Sequence, residues 1–145
     1  QILANRLTKG LRTLVGLKIP TISKGCTHSY YKYPLVLDEK IKNKRRRIKK
    51  ALEFEGISGL SEGYICTHLL PMYQKKIAYG SKGYPWNSLS KKNQVSYKKG
   101  ICPVAEELHF KSYLGFSIDL YDLNIKEIDL IVKSFKKIWK NISKI

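Results

Sequence analysis

The sequence predicts an α/β domain of the α+β kind: a two-layer sandwich with a small antiparallel or mixed sheet of about three strands and helices on one face. Three observations carry that expectation. Apolar residues recur at helical spacing near both ends of the chain, and two short stretches are rich in Tyr, Leu and Val. Helical and extended segments also alternate along 145 residues, the length of one domain.

Residues 2–15 place Ile2, Leu3, Leu7, Leu11, Leu14 and Val15 at steps of three and four, a helix that Gly16 and Pro20 end. Residues 21–26 make a loop. Residues 28–37 read as a strand, and Pro34 inside it points to an edge or a bulge, because proline lacks the N–H a central strand donates. Asp38 and Asn43 are alternative starts of a second helix, whose apolar stripe runs through Ile48, Ala51, Leu52 and Phe54 towards Gly56. Residues 56–100 keep no period, carry six glycines with Pro71 and Pro85, and are studded with Tyr64, Tyr73, Tyr79, Tyr84 and Trp86. A stretch of that length without regular structure is functional or flexible. Residues 103–110 then form a short helix and residues 114–120 a strand. The final helix starts at a capping box, Asn124 with Glu127, and Ile128, Ile131, Val132, Phe135, Ile138, Trp139 and Ile142 keep one face apolar.

Charge is the most conspicuous feature of the composition, with 28 Lys+Arg against 11 Asp+Glu, a formal net of +17. A hydrophobic content of 43% supplies a core and excludes a disordered basic tail. No apolar run approaches the ~18–20 residues of a membrane-crossing helix, so no membrane is expected as a partner. The first 100 residues hold 21 basic and 5 acidic side chains, the last 45 hold 7 and 6. The densest run, residues 40–50, contains Lys40, Lys42, Lys44, Arg45, Arg46, Arg47, Lys49 and Lys50. Such asymmetry can mark a nucleic-acid surface. Yet 23 of the 28 basic residues are Lys, whereas bidentate gripping of bases and phosphates favours Arg. The run is therefore expected to be the solvated face of the second helix, and nucleic acid is not the expected partner. A basic nucleic-acid-binding module using residues 40–50 and an independent interaction domain are the alternatives. Three widely spaced cysteines (Cys26, Cys66, Cys102) are expected to be reduced thiols in a cytoplasmic protein. The chain opens at Gln1 without Met, so it is expected to be processed or cut from something longer.

Motifs with explicit chemistry are few. Cys26-Thr27-His28 and Cys66-Thr67-His68 are identical tripeptides whose first and third residues share a face in extended backbone. Four such groups can surround Zn²⁺, but the spacing lacks a knuckle and no metal is expected. There is no nucleophile elbow and no phosphate-binding glycine loop. Glu106 and Glu107 point apart on a helix, and the expected work of Glu106 is helix capping or an internal hydrogen bond.

Six segments, taken in order, go further. The opening helix leads to Gly16-Leu17 and Pro20. Then come His28-Ser29-Tyr30-Tyr31-Lys32-Tyr33-Pro34 and a run from Arg45 to Gly56-Ile57. After these stand His68-Leu69-Leu70-Pro71-Met72-Tyr73-Gln74 and Cys102-Pro103-Val104-Ala105-Glu106-Glu107-Leu108, followed by the closing strand and helix. The fourth resembles the His-Leu-x-Pro-x-Tyr signature, and the fifth the Cys-Pro-x-Ala-Glu-x-Leu signature, of the DegT family of PLP-dependent sugar aminotransferases (fold type I). The other four are similar to that family's small C-terminal domain in order and spacing.

The resemblance implies that residues 1–145 are the C-terminal small domain of an enzyme acting on a nucleotide-linked keto-sugar in cell-surface polysaccharide biosynthesis. It closes the substrate side of the active site and is inactive alone. The Schiff-base lysine, the carboxylate facing the pyridinium nitrogen and most phosphate contacts would lie on a large N-terminal domain before Gln1. No catalytic residue is therefore expected in this chain, and PLP belongs to the full-length enzyme. The implied partners are that large domain, a second copy in a homodimer, a nucleotide-sugar substrate and an amino-acid donor. His68 is the first candidate for substrate binding, with Tyr64 and Tyr73 behind it. The loop spanning residues 75–97 is longer than the simplest family pattern, and an exposed apolar surface is expected where the large domain sits.

Overall fold

The computed structural model describes residues 1–145, apart from the side chain of Lys91. Two helices from opposite ends of the chain form one wall of the core. In α1 (Ile2–Leu11) the three-four spacing buries Ala4, Leu7 and Leu11. In α5 (Ile125–Lys140) it buries Ile128, Phe135, Ile138 and Trp139. Their closeness depends on Gly10: a Cβ there would lie 2.5 Å from a methyl of Val132. Arg6 clamps the same crossing with two hydrogen bonds to the Asp129 carboxylate, at 2.7 and 2.8 Å. The capping box is present in full. Asn124 Oδ1 accepts from the N–H groups of Lys126 and Glu127, and the Glu127 carboxylate accepts from that of Asn124. α1 stops at Leu11 rather than reaching Val15. Two successive turns, Leu14 N–H to Leu11 O and Leu17 N–H to Leu14 O, swing the chain into the sheet, and the Val15 carbonyl receives the Trp139 indole N–H.

The sheet has four antiparallel strands: β1 (Leu17–Lys18), β2 (Tyr33–Leu37), β3 (Leu60–Glu62) and β4 (Tyr113–Phe116), in spatial order β1-β2-β4-β3. Two-residue alternation sends Tyr33, Leu35 and Leu37, with Leu114 and Phe116, into the helical layer. Pro34 and Val36 point to the other face. The Pro34 expectation needs correction, because β2 lies inside the sheet. Proline is tolerated there because β1 pairs only with Leu37 and Val36, so the flank of β2 at Pro34 has no strand beside it, and on the β4 side Pro34 sits opposite Gly115. The strand expected over 28–37 is shorter, since residues 28–32 precede the ladder.

The second helix, α2 (Arg45–Phe54), follows a 3-10 turn at Lys42–Lys44 and buries Ile48 and Leu52 beneath the sheet. Phe54 does not belong to its stripe; it is 92% exposed. Two further helices are single turns, α3 (Pro71–Lys75) and α4 (Pro103–Glu107), each opened by a proline whose missing N–H has no helical partner to lose. α4 runs directly into a π turn, Leu108–Ser112, which delivers the chain to β4. Among the described residues no helix is long and apolar enough to cross a membrane.

Candidate functional site

The irregular stretch after β3 is tied down by side-chain hydrogen bonds. It begins at Gly63, whose φ of +72° suits glycine, and where a Cβ would lie 2.3 Å from the His109 carbonyl oxygen. A 3-10 turn at Thr67–Leu69 then presents His68 inward. The His68 Nε2 lies 2.9 Å from Glu106 Oε1, and each side chain is only 9% exposed. An ionised carboxylate can only accept, so His68 Nε2 carries the proton in this bond. The same oxygen accepts the backbone N–H of Gly100 at 2.7 Å and, more weakly, that of Cys102 at 3.4 Å. Burial alone pushes the Glu106 carboxyl up, but the Gly100 N–H, His68 and the Cys102 N–H together outweigh it and hold it below the usual carboxylate range. Beside them the buried Cys66 thiol donates to the Ala105 carbonyl at 3.6 Å, and burial pushes its pKa up.

Tyr73 occupies the far side of the same loop. Its ring meets Trp86 edge-on at 6.0 Å and Tyr97 at 5.1 Å, and the Trp86 indole N–H donates to the Tyr97 hydroxyl at 3.1 Å. Gln74 connects the two halves by donating its amide to the carbonyls of His68 and Tyr97, both at 2.6 Å. Beside this cluster opens a cleft of about 310 Å³ whose lining includes Tyr73, Lys76, Gln94, Tyr97 and Lys98. Tyr64 belongs to another group: it is 55% exposed and lies near Tyr31, whose pKa is raised by that neighbour. The structure thus brings His68 and Tyr73 into one unit through Gln74 and leaves Tyr64 among the tyrosines Tyr31 and Tyr113. Gly100, Tyr97 and Gln74 complete the site, and nothing in their spacing singles them out in the sequence.

Elsewhere the basic run is largely engaged. Arg45 donates to the carbonyls of His109 (2.9 Å) and Phe110 (3.0 Å) at the end of the π turn. Lys42 binds Glu107, while Lys44 and Arg47 reach the carbonyls of Ile142 and Ile145.

Among the described residues no three His, Cys, Asp or Glu side chains converge to hold a metal. The two Cys-Thr-His tripeptides differ in setting: Cys26 is exposed and His28 Nδ1 accepts from the Tyr30 N–H, whereas Cys66 and His68 face α4. PLP would need an amine beside the ring aldehyde and a carboxylate at the ring nitrogen. The residues here do not fit it. Among the described residues the one buried carboxylate is that of Glu106, which is filled by Gly100 and His68 and has no lysine amine paired with it.

No family model matches the chain. Over 73 residues, half of the chain, it is 34% identical to an uncharacterized protein of Methanocaldococcus jannaschii, of which that match covers 19%. The fold is similar to that of part of the aminotransferase TlmJ from Streptoalloteichus hindustanus, with a TM-score of 0.64 and 18% identity. That likeness covers 98% of this chain and 31% of the aminotransferase. The chain therefore spans less than a third of either protein, and what it shares with the second is an aminotransferase-like fold.

Proposed function

We propose that this chain is the small C-terminal domain of a PLP-dependent aminotransferase of the DegT kind, closing the substrate side of an active site that transfers an amino group to a nucleotide-linked keto-sugar. The observation that carries the reading is the coincidence of two independent likenesses. The aminotransferase-like fold extends along 98% of the chain, and the segments resembling the family signatures fall in order within it. In this reading the cofactor and its lysine belong to a large domain outside these residues, and the enzyme is a cytoplasmic homodimer. Exposed apolar side chains such as Ile65 and Val104 are candidates for contact with the large domain.

The residues here then bind and orient. His68, fixed by Glu106, holds its loop at the rim of the substrate site, Tyr73 lines the cleft beside it, and Tyr64 offers a hydroxyl from the neighbouring cluster. The alternative of a nucleic-acid surface on residues 40–50 gains no support, because Lys42, Lys44, Arg45 and Arg47 are bound to groups of the protein itself. The coding sequence upstream of Gln1 tests the proposal. A large α/β domain containing an aldimine-forming lysine is expected, and a reading frame without one contradicts it.

A further inference from the structure

We propose that the cleft between the C-terminal end of α2 and the first half of α5 binds a small organic cation, a primary ammonium carried on an apolar body of one ring. The proposal does not depend on the aminotransferase reading, because the cleft lies at the other end of the sheet from His68. It opens where β3 begins and β4 ends, whereas His68 follows β3 and Glu106 precedes β4.

The first basis is an inversion of charge. Residues 51–63 and 117–131, which wall the cleft, hold seven of the chain's eleven Asp and Glu but one of its 28 Lys and Arg. Four of the seven are neutralised from elsewhere in the chain: Glu53 by Lys49, Glu55 by Lys137, Glu62 by Arg45 and Asp129 by Arg6. Among the described residues Asp119, Asp122 and Glu127 belong to no ion pair. No Lys or Arg lines the cleft, whereas Lys76 and Lys98 line the one beside Tyr73, and Lys40, Lys136 and Lys140 line another at the C-terminal end of α5. A recess that is acidic within a basic surface draws cations and repels the anions that the rest of the molecule attracts.

The second basis is shape. The floor is apolar: Ile57 is 5% exposed and Phe116 2%, with Leu123 and Ile131 beside them. Gly56, φ +90°, ends α2 in a Schellman turn, its N–H bonding the Glu53 carbonyl while the Ile57 N–H bonds that of Leu52. A Cβ on Gly56 would meet nothing within 4 Å, so the mouth is open on that side. Across from it the Tyr121 ring lies against Gly59, φ +78°, where a Cβ would come 2.8 Å from Tyr121 Cε2. The ring is thereby held as a wall of the cleft, and an aromatic face attracts an ammonium group. Glu127, also in the lining, spends Oε2 on the Asn124 N–H and keeps Oε1 to accept from an ammonium. At about 300 Å³ the cleft stands at the lower end of small-ligand sites, which suits a one-ring molecule.

Calorimetric titration of the protein with phenethylamine, 2-phenylethanol and 3-phenylpropionate tests the site, since the three share a ring and differ in charge. Methyl NMR of Ile57 and Ile131 reads the cleft locally. Phenethylamine is expected to bind at least about fivefold tighter than the alcohol, and 3-phenylpropionate more weakly than either. Glu127→Gln keeps an oxygen for the Asn124 N–H, because Gln serves in a capping box as Glu does, and is expected to remove most of the amine's advantage. Ser134→Leu fills part of the cleft without touching a carboxylate and is expected to weaken amine and alcohol alike by about fivefold or more. If that variant does not fold, Leu130→Ala, in the same wall and 61% exposed, is expected to weaken both by about twofold or more. Glu39→Gln, in the lining of a different cleft, leaves binding unchanged. An amine bound no tighter than the alcohol, 3-phenylpropionate bound as tightly as the amine, or binding that moves neither methyl group and ignores these substitutions overturns the proposal. So does a protein that binds no amine but self-associates until Ser134→Leu disperses it, which gives the face to a second copy.

Discussion

His68 and Glu106, 38 residues apart, share a hydrogen bond of 2.9 Å in which both side chains are about nine-tenths buried. The bond joins two segments that the sequence presents separately, one around His68-Leu69-Leu70-Pro71 and one around Cys102-Pro103. Glu106 also accepts the Gly100 N–H, so a single carboxylate oxygen fixes both ends of the long loop between them.

Stability in acid follows from this carboxylate. The folded Glu106 titrates below its unfolded counterpart, so its contribution is complete above the ordinary glutamate pKa of about 4.3 and fades as pH falls through the lower folded value. Glu107 and Asp129, held down by Lys42 and Arg6, act in the same direction. Melting curves between about pH 6 and about pH 3 are expected to show a smaller fall in Tm for Glu106→Gln than for the wild type.

Arg45 is expected to be structural. Replacing it with Ala removes the donors that satisfy the His109 and Phe110 carbonyls. Urea denaturation should register a loss of about 1.5–3 kcal/mol, the range for hydrogen bonds to charged groups. Arg46→Ala, on the exposed side of α2, should stay within about 0.5 kcal/mol.

Gly10→Ala tests the helix crossing. A methyl group 2.5 Å from Val132 forces α1 and α5 apart or displaces the valine. The expected cost is about 1–3 kcal/mol, as for other overpacked sites, even though alanine favours helix more than glycine does. A stabilised variant would mean that the crossing is looser than described.

Thiol labelling separates the cysteines. Cys26 is exposed, whereas Cys66 is buried and its pKa is raised by that burial. A thiol-specific reagent at neutral pH, followed by peptide mass spectrometry, should modify Cys26 at least about tenfold faster than Cys66.

Legibility in the sequence tracks how local each cause is. The α5 start can be read from Asn124 and Glu127 because capping acts over three residues, and its apolar stripe repeats for four turns. β1 and β3 escape because two or three residues carry no period, and only the register with Leu37 or Phe116 makes them strands. Pro34 misleads for the same reason, since the shortness of β1 that accommodates it is a tertiary fact. Around the cleft, His68 and Tyr73 stand out by motif. Their partnership through Gln74, and the cluster of Tyr73, Trp86 and Tyr97, come from loop closure and leave no periodic trace.

The most direct test of the central claim is an amino-transfer assay on the full-length protein. Supplied with PLP, an amino-acid donor and a nucleotide-linked keto-sugar, it is predicted to release the 2-oxo acid and the amino sugar in equal amounts. A folded, PLP-treated protein that yields neither product with any such donor and keto-sugar contradicts the account.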